Sequence, residues 1–135
     1  MKYFISLLLM LLVGCQNEEK IFSEQEFTEQ FKTVLLEKGL EVKEVESTGL
    51  INMQGKLPLV LEVSQNGKNP DSVYIFSFSS AKEAQESLEV AKFATATETP
   101  VDKYRNQNIV IIHYVDPPNI GELDVKVGES VDIPK

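Results

Sequence analysis

The sequence has one cysteine, one histidine and no tryptophan among its 135 residues. A single cysteine, Cys15, excludes an intrachain disulfide. One cysteine with one histidine leaves no ordinary zinc set, which draws on several such ligands. Any Ser–His–acid machinery would have to recruit His113, and no serine stands in a G-x-S-x-G elbow. Gly-rich phosphate loops and D-x-D-x-D-G calcium loops are missing as well. Two carboxylates in a glycosidase arrangement would lack a tryptophan for sugar stacking. Positive charge is also scarce: 13 Lys and Arg face 21 Asp and Glu, a net charge of −8. Nucleic-acid binding rewards basic patches, so that partner class is not expected. The composition therefore predicts no enzyme, no catalytic residue, no cofactor and no bound metal. His113 shares its strand face with Ile111 and Val115, where a local hydrogen bond is the expected role. Asp71, Asp116, Glu122 and Asp124 form at most a loose cation site, and scattered surface carboxylates are the commoner arrangement.

What is present begins at the N-terminus. Lys2 is followed by an apolar run from Tyr3 to Val13, broken only by Ser6, and then by Gly14 and Cys15. That is the layout of a secretory signal. The run is too short for a spanning helix, which needs roughly 20 residues. Leu12-Val13-Gly14-Cys15 resembles the lipobox of bacterial lipoproteins. The resemblance implies cleavage after Gly14, a diacylglycerol thioether on Cys15 and an acyl chain such as palmitate on the new amino group. Its further implication is a chain lipid-anchored at the extracytoplasmic face of the cell membrane through Cys15. Residues 1–14 are then the signal peptide, 15–21 a lipidated tether and 22–135 a single domain. Removing residues 1–14 leaves 12 Lys and Arg against 21 Asp and Glu, a net charge of −9. Such a balance disfavours laying the whole domain on anionic lipid.

Along the domain, Ser23 and Glu26 have capping-box spacing, and Phe22 with Phe27 has that of a hydrophobic staple. Phe27, Phe31, Val34 and Leu35 recur on one helical stripe, and Gly39 suits the left-handed position past its end. Strands are predicted over 40–45, 57–63 and 72–78, the last two forming a hairpin about the turn-rich 65–71. Ser80 and Glu83 repeat the capping spacing and open a second helix to about Ala94. A short strand over 101–104 turns through 105–108 into 109–115, which is apolar on both faces and so reads as a central strand. Residues 119–128 fit a short helix or an edge strand, with helix preferred. The order predicts an α+β fold, a single antiparallel β-sheet with two helices packed on one face.

Two stretches carry a further resemblance. One is Ser72-Val-Tyr-Ile-Phe-Ser-Phe78 leading into Ser80-Ala-Lys-Glu-Ala84. The other is Tyr104-Arg-Asn-Gln-Asn108 leading into Ile109-Val-Ile-Ile-His-Tyr114. Together they resemble small uncharacterised lipoproteins of Bacillus-type bacteria, over roughly residues 57–128 and the signal. The resemblance concerns structure and carries over no active-site residue. The function expected is a non-enzymatic, membrane-anchored accessory that binds a cationic peptide or an envelope protein, of immunity, exclusion or envelope-assembly type. A small-ligand or cation-binding module is the alternative, and a hydrolase a remote one.

Overall fold

Helix α1 (Glu24–Glu37) starts where its capping residues dictate. The Ser23 hydroxyl accepts the Glu26 N–H at 3.1 Å, and the Phe22 and Phe27 rings meet edge to face at 5.3 Å. At the other end Gly39 takes φ 81°. Its N–H reaches the Leu36 carbonyl, and the Leu40 N–H reaches that of Leu35. This is the Schellman closure, with apolar Leu40 folding back beside Leu35. The computed structural model describes residues 21–93 and 100–134. The signal peptide, Cys15 and the tether up to Lys20 lie outside the described residues.

After α1 come β1 (Glu41–Val45), β2 (Leu59–Gln65), β3 (Lys68–Ser77), α2 (Ala81–Val90), β4 (Val101–Asn106) and β5 (Ile109–Tyr114). A 3-10 turn (Pro117–Asn119) and α3 (Leu123–Ser130) complete the chain. The five strands form one antiparallel sheet in the order β1-β2-β3-β5-β4. An α+β fold with a single antiparallel sheet is thus present. The C-terminal segment is helical, and Gly128 lies inside that helix instead of ending it. A Cβ there would sit 2.9 Å from the Tyr104 hydroxyl oxygen, so glycine lets α3 lie close against β4.

Which helices share a face differs from expectation. Two helices do pack on one face, but they are α1 and α3. Phe27, Phe31, Leu35, Leu123 and Val127 meet the inward side chains Leu61, Val63, Val73, Ile75, Ile109 and Ile111. Helix α2 covers the opposite face, where Ala84 and Leu88 meet Phe76, Val110 and Ile112. The cause lies in β3 and β5, whose successive residues are apolar on alternating sides. Neither face of such strands can be left to water, so the helices divide between them.

Boundaries moved for local reasons. The β2–β3 reversal is tight, with Asn66 and Gly67 at φ 58° and 67°, the two-residue turn that matches strand twist. Pro70 therefore lies within β3, opposite an irregularity in the pairing with β2 and before the pairing with β5 begins at Ser72, where proline is tolerated. Leu57 falls outside β2. Helix α2 ends at Val90 because the backbone at Ala91 is extended, which carries Ala91 and Phe93 onto the second core. Strand β4 continues to Asn106, leaving Gln107 and Asn108 as the turn.

Asn108 is wholly buried. Its amide donates to the Phe22 and Phe78 carbonyls and its oxygen accepts the Phe22 N–H, at 2.8–2.9 Å. One carboxamide thus joins the domain's entry, the end of β3 and the β4–β5 turn at one end of the sheet.

Candidate functional site

The residues singled out for chemistry are drawn into structural roles. His113 Nε2 lies 2.7 Å from Asp71 Oδ2, both side chains having no exposure to solvent. The other Asp71 oxygen accepts the Asp116 N–H at 2.9 Å and the Asn119 amide at 2.8 Å. His113 Nδ1 has no hydrogen-bond partner among the described residues. The local hydrogen bond foreseen for His113 is present. The dyad fastens the 3-10 turn onto β3 and β5, and burial denies a substrate access to it. Glu122 accepts from Gln65, and Asp124 accepts the Gly121 and Val125 N–H groups. Asp71, Asp116, Glu122 and Asp124 do not converge, and among the described residues no group of three or more acidic, His or Cys side chains could hold a metal.

The acidic surfaces are more informative. On α2, Glu83 accepts the Ser79 N–H and hydroxyl, which lowers its pKa. The carboxylate of the second capping box therefore reaches Ser79 and not Ser80. Glu86 pairs with Lys82 at 3.8 Å and Glu89 accepts from Gln85 at 2.9 Å. Each carboxylate on this helix face has a neighbour on its own helix or next to it.

The other acidic face is a groove. Glu24, Gln25, Thr28 and Glu29 form two i, i+4 rows along the first turns of α1, and Glu44 of β1 faces them across Leu59 of β2. The hollow between them measures about 330 Å³. Glu44 points to this side because it shares a strand face with Val42, which packs beneath α1. Three carboxylates thus converge from two elements. Lys32 is placed between two of them, 3.4 Å from Glu29 and 3.7 Å from Glu44. Burial raises the Glu24 pKa, Lys56 opposes that shift, and Glu44 adds to it by repulsion. Thr28 lines the floor, and its buried hydroxyl has no partner among the described residues.

A larger hollow of about 550 Å³ lies beside β4, lined by Tyr104, Arg105, Asn106 and Asp132 among others. Two of its polar side chains are engaged within the protein: the Asn106 amide donates to the Val131 and Ile133 carbonyls, and Arg105 donates to Gln85 and to the Gln107 carbonyl. Two cations, Lys103 and Arg105, line it against one carboxylate, Asp132.

Nothing in the sequence alone sets Glu24, Glu29 and Glu44 apart from other surface carboxylates. The i, i+4 rows of α1 follow from the helical repeat, but their meeting with β1 depends on how the helix crosses the sheet. No protein-family model, no curated protein and no solved structure matches this chain.

Proposed function

We propose that this chain is a lipoprotein held at the extracytoplasmic face of the membrane by Cys15, and that its domain is a non-enzymatic accessory that captures a cationic peptide or envelope protein. The observation that supports capture is the α1–β1 groove, where Glu24, Glu29 and Glu44 converge on a space large enough for a Lys or Arg side chain. A basic side chain entering it displaces Lys32 from its two weak contacts with Glu29 and Glu44. The net charge of −9 left after residue 14 supplies the longer-range field.

The test uses the full lipidated chain on vesicles, with a Lys- and Arg-rich peptide as probe. Glu29→Lys with Glu44→Lys is expected to slow association about tenfold or more at low salt, within the range that electrostatic steering covers. Reversing Glu83, Glu86 and Glu89 on α2 is expected to do much less. Raising salt narrows the difference, since exposed charges are screened beyond about 10 Å at 0.1 M. The pH dependence has a definite sign. Capture needs ionised carboxylates, and the Glu24 pKa is raised by burial, so binding weakens as pH falls while ordinary surface carboxylates are still charged. Equal effects of the two reversals would reject the groove. Cys15→Ser is expected to leave the protein unprocessed or released, and detergent-phase partitioning like that of the natural chain would reject the anchor.

A further inference from the structure

The chain enters the domain at one end of the sheet, and that end carries an unusual loop. Phe22 is tied there by Asn108, beside the end of β3. β1 leaves the sheet at the same end after Val45, and β2 re-enters it at Leu59. The loop between them, residues 46–58, is pinned in place. Met53 is buried in the second core and exchanges two backbone hydrogen bonds with Lys56. The Lys56 ammonium lies 4.9 Å from the centre of the Phe78 ring. Despite this anchoring the loop presents Leu50 and Leu57 outward, 83% and 57% exposed. A Cβ added at Gly49, next to Leu50, would lie 3.9 Å from the Leu57 side chain, so the two leucines flank one spot on the loop. Ile21, at the point of entry, is 52% exposed. The other exposed large apolar residues among the described ones, Leu36, Val90, Ile120 and Val125, lie elsewhere in the chain.

We propose that this end is a membrane-docking surface and that Leu50 and Leu57 insert into the interface of the phospholipid bilayer. The inference rests on the reading of Cys15 as the lipid anchor. Five residues, Gln16–Lys20, separate Cys15 from Ile21. Fully extended, they reach on the order of 17 Å. The end of the domain where the chain enters is therefore held within a short distance of the headgroups, and the loop shares that end. Two leucines fixed outward on a pinned loop are costly in water and are relieved at an interface, where apolar side chains enter about 5–10 Å. The tether keeps their local concentration high, so a small area of contact suffices. Charge acts in the opposite direction. Glu24, Glu46 and Glu83 flank this end and outnumber Lys56 and Lys82 beside them, so docking is strongest on zwitterionic lipid and weakens modestly as anionic lipid is added. In this orientation the first turns of α1, and the groove they line, stand beside the bilayer surface.

The experiment takes the full chain, lipidated on Cys15, in phosphatidylcholine vesicles. With the Cys15 thiol in thioether linkage, Leu50→Cys and Lys68→Cys each provide one site for an environment-sensitive fluorophore. Lys68 begins β3 at the far end of the sheet and is exposed. The label at 50 is expected to shift to the blue and to be quenched several-fold more by spin-labelled lipid than the label at 68. Adding Leu57→Asn is expected to reduce quenching at 50 while the protein stays on the vesicle. The protein mass reports the lipid independently. Equal quenching at both positions on a chain carrying the lipid overturns docking and leaves the anchor intact, whereas a chain without the lipid mass overturns both.

Discussion

Asp71→Ala is expected to destabilise the domain by about 3–5 kcal/mol, because several donors lose their acceptor together. The carboxylate serves three donors at once: His113 Nε2, the Asp116 N–H and the Asn119 amide. Leaving a buried donor unsatisfied costs about 1–3 kcal/mol by itself. His113 has no second partner among the described residues to fall back on, since its Nδ1 is already unpaired. Urea unfolding at neutral pH measures the loss. Asp71→Asn keeps the shape and one acceptor oxygen and is expected to lose distinctly less. Combining Asp71→Ala with His113→Leu removes the orphaned ring nitrogen and should recover part of the loss, a non-additivity that a double-mutant cycle reads directly. Strict additivity would mean that the dyad does not act as one unit.

The second large effect belongs to α1. Phe31→Ala is expected to cost about 3–5 kcal/mol, the range for deleting a buried aromatic ring. Phe31 has no exposed surface and stacks on Phe27 with ring centres 5.8 Å apart. Phe27 in turn meets Phe22, which Asn108 holds at the domain's entry. The three rings fill the space between α1 and the central strands, so a cavity there cannot close without moving the helix. An exposed change on the same helix, such as Glu37→Ala, is expected to stay within about 0.5 kcal/mol. A loss below about 1 kcal/mol for Phe31→Ala would show that α1 is not seated on this core.

Local chemistry made much of this architecture legible. Ser23, Phe22, Phe27 and Gly39 set both ends of α1 because caps and left-handed closures act within a few residues of chain. The hairpin of β2 and β3 and the two-sided β5 were visible in alternating apolar character for the same reason. Where local patterns stopped short, a distant contact intervened. Helix α2 ends early because Ala91 and Phe93 are needed on the second core. Gly128 reads as a helix stop until Tyr104 is placed against it.

The sequence by itself determined most of the elements before residue 117, the α+β class, the acidic balance and the layout around Cys15, since these follow from near neighbours and composition. Only the tertiary structure decided that α1 and α3 share one face while α2 takes the other. Tertiary contacts also decided that Asp71 finds His113 across 42 residues, that Asn108 secures the entry point, and that Glu24 and Glu29 converge with Glu44. Each of these joins residues far apart in the chain. Their meeting depends on strand order and on the direction in which a helix crosses the sheet, and no short stretch of sequence encodes either.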